Sequence, residues 1–257
     1  EVPDLRNRRD TLLVEAMDRC GECVLLPTCR GDLKRASGIT PIDTVIDWFD
    51  KLSRGKWLVE KECAEPMRED LFFDEWETAK QAGDYPYNPT LPLDLSFDFT
   101  GGGEDPTSCG FWQTDGVNQY RTHEMLFRRK PTSRVASDVE GYCKEHSIVP
   151  QNEYGDSAQQ QQMRDLRAAS EFFRTLHGAR KLGRRSDGWS ICKRMVRDAS
   201  GVRHLFIDRS CRNFIREIES ARRSPHDPDD LAGDDHSLDE WRYWTIETFW
   251  QGREPRV

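Results

Sequence analysis

Residues 91–112 read LPLDLSFDFTGGGEDPTSCGFW, and the first nine of them set the fold class. From Leu91 to Phe99 the run has the alternating character of a strand, whose side chains point to opposite faces with period two. It ends at TGGGEDP, a strong turn. A second extended run, SCGFWQTDG, follows, and TDGVN reads as a hairpin turn into a third, QYRTHEMLF. Inside the first strand Asp98 is out of place. A carboxylate in SFDF is expensive to bury unless it is paired or metal-bound. Asp94, four residues earlier, falls on the same face.

Working outward towards the C-terminus, SRVASDVEGYCKEHS suits a helix and SIVPQNEYGD a strand. SAQQQQMRDLRAASEFFRTLHG reads as one long helix closed by Gly178. RHLFIDRSC is a further strand and RNFIREIESARR a further helix. After an acid-rich loop, a last helix is expected from about 234 to 250, with Leu238, Trp241, Thr245 and Phe249 near one face. The order from 91 onward is strand, strand, strand, helix, strand, helix, strand, helix. The first three strands are joined by tight turns and the later ones by helices. The expectation is therefore an α/β fold with a mixed sheet flanked by helices.

Towards the N-terminus the chain changes character. Residues 7–19 and 40–53 have helical spacing, the second with Thr40 as N-cap and Pro41 at the first helical position. KWLVEKEC reads as a short strand, and 64–90 as a connector. Residues 1–90 are thus expected to form a small helical, cysteine-containing segment preceding a domain at 91–257. The chain begins with Glu1 rather than Met and is expected to be a fragment of a longer one. Neither a secretory signal nor a run of ~18 apolar residues occurs. The net charge of -8 argues against a general nucleic-acid coat. That average hides an asymmetry. Residues 174–197 carry eight Lys and Arg against one acid, Asp187, and the balance reverses between 227 and 240.

Acids recur at the ends of expected elements. Asp98 lies in the first strand and Asp156 closes the fourth. Asp235 and Asp239 are one helical turn apart on the last helix, with His236 beside them. Asp156 and Asp235 can also be read as helix N-caps. Converging carboxylates repel and raise one another's pKa, a penalty that a divalent cation removes. Oxygen ligands of this kind suit Mg²⁺ or Mn²⁺, and a His tilts the choice to Mn²⁺. Asp94, Asp105 and Asp234 are secondary candidates.

Taken in order, LDLSFDFTGGGEDPTSCGFW, NEYGDSA, RHLFIDRSCRNFIREIES and DDHSLDEWRYW resemble the nuclease domain of the large terminase subunits of tailed bacteriophages. The resemblance covers about 91–250. It implies an RNase H-like fold and two-metal-ion cutting of concatemeric double-stranded viral DNA in the host bacterial cytoplasm. It implies Asp98, Asp156 and Asp235 as the three catalytic acids, with His236 and Asp239 as further ligands. The choice between Asp235 and Asp239 as third acid is open. Implied partners are an ATPase motor domain, a small terminase subunit and a portal. The phosphate-binding G-x-x-x-x-G-K-[ST] motif of an ATPase is absent from this sequence: Gly55-Lys56 is followed by Trp57. The long TGGGED turn departs from the family's pattern and loosens the register there.

The basic stretch is expected to act as a DNA-contacting flap, with Arg180, Lys181, Arg184, Arg185, Lys193 and Arg194 as phosphate contacts; a solvated basic face is the alternative. Cys20, Cys23, Cys29 and Cys63 could hold a structural Zn²⁺, or less readily a 4Fe–4S cluster. The remaining four cysteines are scattered, and no disulfide framework is expected. Two other functions fit parts of the pattern. One is a transposase or resolvase of the same RNase H-like class, against which no helix-turn-helix is appended. The other is a non-catalytic, zinc-stabilised DNA-binding or packaging module.

Overall fold

The computed structural model describes residues 48–49, 51–54, 57, 71–100, 105–227, 229–232 and 235–250. The helix expected at 7–19, most of that at 40–53, all of the strand at 56–63 but Trp57, and Cys20, Cys23, Cys29 and Cys63 lie outside them; Trp57 is helical, its amide donating to the Ser53 carbonyl at 2.9 Å. So does Asp234.

A short helix α1 (Thr78–Gln81) and a two-residue strand β1 (Ala82–Gly83) lead into β2 (Leu93–Asp98). β3 (Thr107–Thr114) and β4 (Gln119–Phe127) complete an antiparallel meander. The β3–β4 turn forms at the expected place. Gly116 supplies a φ of 93°, and the Asp115 carboxylate accepts from the amides of Val117 and Asn118 at 2.9 and 2.7 Å. The chain continues through α2 (Thr132–Glu145), β5 (Asn152–Gly155), α3 (Gln160–Ala169), β6 (His177–Gly178), α4 (Arg185–Val196), β7 (Leu205–Asp208) and α5 (Arg212–Ser220). A small hairpin of β8 (Arg222–Arg223) and β9 (Leu231–Ala232) precedes the last helix, α6 (His236–Phe249).

The seven-stranded sheet has the order β1-β7-β4-β3-β2-β5-β6. Strands joined by turns pair antiparallel, and those reached through helices pair parallel, β2 with β5 and β4 with β7. This is the mixed sheet the sequence implies. α2 and α3 cover one face, where Leu95, Phe97, Phe111, Val139, Met163 and Leu166 are buried together. The other face meets α4, α5 and α6, whose Trp189, Phe214, Trp241 and Trp244 pack with Trp112. Cys109, Cys143, Cys192 and Cys211 are buried and free.

Three elements differ from the sequence reading. The helix expected over 157–178 stops at Ala169. Ser170 turns to extended backbone, donates its hydroxyl to Glu140 at 2.6 Å and accepts from Phe172 N at 3.1 Å. That break lets Phe173 and Leu176 reach the core and frees Gly178 to join the sheet edge beside Gly155. The basic stretch is not a loose flap, because residues 185–196 form the helix α4 against α6. Finally, residues 71–83 belong to the same body as the domain expected from 91. β1 pairs with β7, and Phe72, Phe73 and Trp76 sit in the tryptophan-rich core.

Candidate active site

The alternation in β2 fixes where α6 docks. The odd-numbered residues Leu93, Leu95 and Phe97 face α2 and α3. The even ones each bond α6 one helical turn apart. Asp94 Oδ2 accepts from Trp244 Nε1 at 2.9 Å, and Ser96 Oγ donates to the Glu240 carbonyl at 2.6 Å. Asp98 Oδ2 lies 3.0 Å from His236 Nδ1. Two residues along a strand advance about 6.6 Å, and four along a helix about 6 Å, so the two spacings match. The polar residues of "DLSFD" are therefore the ladder that brings the N-terminus of α6 to the end of β2.

The same end of the sheet carries the next acid. β2 and β5 run parallel with Phe97 opposite Gly155, so Asp98 and Asp156 are the next residues on strands about 4.8 Å apart. Asp156 Oδ1 accepts from the Ala158 amide at 2.8 Å, while α3 begins later, with Gln159 at its N-cap position. Asp235 occupies the N-cap position of α6, but its side chain caps nothing. Instead it meets Arg185 Nη2 at 2.6 Å, and Asp239 Oδ2 meets the same nitrogen at 2.7 Å. Asp239 Oδ1 accepts from Arg242 Nε and Nη2 at 3.0 and 2.9 Å. Asp98, Asp156, Asp235, His236 and Asp239 thus gather where β2, β5 and α6 meet.

The electrostatics are those of crowded, half-dried carboxylates. Burial pushes the Asp98 carboxyl up to about 6, and the charges of Asp239 and Asp235 push the same way, against its bond to His236. Burial and the neighbouring Asp239 likewise raise Asp235. The hydrogen bond to Asp98 raises the His236 imidazole. Tyr243 is raised by burial and then by Asp239, Asp98 and Asp156, which sets its phenol in the field of all three.

A cleft of about 350 Å³ opens beside these acids. Its lining combines Asp156, Asp239 and Tyr243 with Arg180, Lys181, Arg184 and Arg185. Arg180 stacks on Trp250 with its guanidinium carbon 4.8 Å from the ring centroid, and pairs with Glu247 at 3.7 Å. Lys193 and Arg194, on the C-terminal half of α4, are not among the cleft residues. Lys193 Nζ lies 3.6 Å from the centroid of Phe72. A second cavity, about 460 Å³, lies at the end of β2 and is lined by Phe99, Asp105 and Lys130 rather than by the four clustered aspartates. Asp94 is a buried support, held by Trp244 and by Asn152 N and Nδ2 at 3.1 and 2.9 Å.

The donors are hard carboxylate oxygens with one imidazole, a set that suits Mg²⁺ or Mn²⁺. Among the described residues no three His, Cys, Asp or Glu side chains are gathered tightly enough to hold one ion as they stand. The positive charge between Asp235 and Asp239 comes from the Arg185 guanidinium.

Some supporting residues were not singled out from the sequence. Glu217 on α5 accepts from Ser237 N at 2.8 Å and Ser237 Oγ at 3.2 Å, and so caps α6 in place of Asp235. Glu240 bonds Arg121 and Trp112 in the core. Glu217 shares a helix face with Phe214 and Ile218, and Glu240 one with Trp241 and Trp244. An acid on an apolar face is the clue that could have found both. Arg242 and Tyr243 lie in the quoted DEWRYW motif, but only geometry gives them contacts.

No family model and no curated protein matches the chain. Solved structures do. The chain is similar to the large terminase of a thermophilic bacteriophage in complex with ADP, with a TM-score of 0.57 and 15% identity over 70% of this chain and 45% of that one. It is also similar to the nuclease domain of the P22 large terminase, with a TM-score of 0.55 and 13% identity over 70% and 93%. The chain spans less than half the length of the thermophilic phage's protein and nearly all of the P22 domain. Its fold is that of these large-terminase structures, the P22 nuclease domain included.

Proposed function

We propose that the chain is the metal-dependent endonuclease domain of a phage large terminase subunit, cutting concatemeric double-stranded viral DNA. The observation that carries this reading is the convergence of Asp98, Asp156, Asp235, His236 and Asp239 beside a cleft with basic residues in its lining. The likeness of the fold to the thermophilic-phage and P22 terminases supports the same reading.

Asp98 and Asp156 come from rigid strand ends, and Asp235 and Asp239 from the first turn of α6, so backbone structure orients each carboxylate. Asp98, Asp156, Asp235 and Asp239, with His236, would hold two Mg²⁺ or Mn²⁺ ions. When bound, such ions activate a water and stabilise the leaving oxygen of a phosphodiester. His236 fixes the rotamer of Asp98 through their hydrogen bond. Arg180, Lys181 and Arg184, in the lining of the same cleft, hold backbone phosphates, positioning the duplex without reading its sequence. In its working setting the domain would follow an ATPase motor and meet a small terminase subunit and a portal, in the host bacterial cytoplasm. Among the described residues no helix is long and apolar enough to cross a membrane. The four N-terminal cysteines would hold a structural Zn²⁺, tested by metal analysis of the wild type and of Cys23→Ser.

The test is relaxation and linearisation of supercoiled plasmid with Mn²⁺. Wild type cuts, and Asp98→Ala abolishes cutting with its circular dichroism unchanged. Asp235→Asn and Asp239→Asn, run side by side, identify the third acid. DNA binding with no metal-dependent cutting would favour the non-catalytic packaging module.

A further inference from the structure

Arg185 reaches the acidic cluster from the first position of α4. Its Nη2 serves Asp235 Oδ2 at 2.6 Å and Asp239 Oδ2 at 2.7 Å, and Nη1 lies 3.4 Å from Asp230 Oδ1. One nitrogen therefore sits on the two carboxylate oxygens that would share a divalent ion. Two cations cannot occupy that position together, because their mutual repulsion adds to direct steric overlap.

The backbone beneath Arg185 is fixed. Three residues on, Gly188 packs so closely on α6 that a Cβ there would stand 2.9 Å from Ile246 Cδ1 and 3.1 Å from Arg242 Cγ. Trp189 is buried and donates to Asp230 at 3.0 Å. The guanidinium of Arg185 is held by the Asp230, Asp235 and Asp239 carboxylates and lies 5.7 Å from the centroid of Trp189, so any exchange of partners falls to its side chain. It is 37% exposed and lines the same cleft as Arg180, Lys181 and Arg184. A swing about its own torsions carries the guanidinium into the space assigned to the DNA backbone. A phosphate there offers it a planar, two-oxygen partner of the kind a guanidinium fork matches best.

We propose that Arg185 is an internal counter-cation, drawn off Asp235 and Asp239 by a DNA phosphate before they take a divalent ion, so that metal uptake is coupled to substrate binding. This rests on the nuclease reading above. By linkage, a phosphate that removes Arg185 from the acids raises their affinity for metal, and bound metal raises affinity for DNA by the same factor. The free domain is then a poor metal binder.

The experiment measures Mn²⁺ binding to the whole chain without DNA, by electron paramagnetic resonance of the free ion. Arg185→Gln is expected to bind Mn²⁺ tighter than wild type by about tenfold or more. Arg185→Lys, which keeps a cation within reach, is expected to stay close to wild type. Arg184→Gln removes the same charge from the same cleft without touching the acids, and is expected to change affinity by less than about threefold, because its charge is solvent-screened. Circular dichroism checks the fold of each. Mn²⁺ binding in Arg185→Gln that is equal to or weaker than wild type would overturn the proposal and leave the nuclease reading standing. Equal tightening in Arg184→Gln and Arg185→Gln would overturn it too, as a general charge effect. No Mn²⁺ binding in any variant, with no plasmid cutting, would remove the nuclease reading itself.

Discussion

Substituting Arg121 by Met leaves Glu240 buried with one partner. Arg121, on β4, is fully buried, and its Nη1 donates to Glu240 Oε1. Glu240 Oε2 accepts from Trp112 Nε1 at 2.8 Å. The guanidinium lies over Trp112 and Phe214, 5.0 and 4.7 Å from their centroids, with Nη2 3.5 Å from Glu124. Burial by itself would lower the Arg121 pKa, but the carboxylates of Glu240 and Glu124 more than offset this and raise it. Glu240 cannot turn aside, because it packs against the bare backbone of Gly110, where even a Cβ would be 2.5 Å from Oε2. Removing one partner of such a buried pair costs about 3–5 kcal/mol. For a body of this size that lowers Tm by roughly 6–20 °C. Glu240→Met should cost a similar amount from the other side. The double variant Arg121→Met/Glu240→Met places two flexible apolar side chains among Trp112, Phe214 and Trp241, and should lie within about 2 kcal/mol of wild type. Urea unfolding followed by tryptophan fluorescence measures all four corners of the cycle. A single variant costing under about 1 kcal/mol, or simple addition of the two losses, would refute the idea that this pair ties α6 to the sheet.

Three further outcomes follow from the site. A protonated Asp98 cannot coordinate a cation, so Mn²⁺-dependent cutting should rise with pH through about 6 and then level off; a profile flat across that range contradicts the role given to Asp98. Burial raises Glu217 from 4.5 to about 6, which means its protonated form favours the fold. Stability from this group is therefore full below pH 4.5 and is lost as pH rises through 6, by about 2 kcal/mol; in Glu217→Gln the slope read by urea unfolding at intervals of pH should shrink by that amount, leaving the part that the likewise raised Asp98 contributes. Arg184→Ala should weaken binding of any duplex alike and reduce the slope of log affinity against log salt by about 0.9, the share of one phosphate contact; an unchanged slope removes Arg184 from the interface.

The legible parts of the fold were those encoded in neighbouring residues. Alternation in 91–99 predicts β2, turn residues predict the β3–β4 hairpin, and helical spacing predicts α2, α5 and α6. These local patterns also require the mixed sheet, since hairpins and helical crossovers dictate strand direction. What stayed hidden depended on partners far along the chain. Ser170 reads as an ordinary helix residue until Glu140 is seen to take its hydroxyl and Phe173 to bury against Phe97, with centroids 5.9 Å apart. Two-residue strands such as β1 and β6 carry no periodicity at all.

The acids make the same point more sharply. Asp94, Asp98, Glu217 and Glu240 all lie within buried positions of apolar elements, so pattern alone gives each an equal claim to chemistry. Their partners separate them. Asp94 is satisfied by Trp244 and Asn152, Glu217 by the first turn of α6, and Glu240 by Arg121 and Trp112. Each of these is occupied by donors that hold the scaffold. Among the described residues Asp98 has one side-chain partner, His236, itself able to ligate a cation, and it faces a second group of carboxylates across the end of the sheet. A buried carboxylate with that little compensation is stable only if something positive completes it. Among these four acids the candidate for chemistry is thus the one with the fewest donors spent on it, and the donors that mark the others as scaffold lie 58 to 150 residues away from Asp94 and 119 or 128 from Glu240.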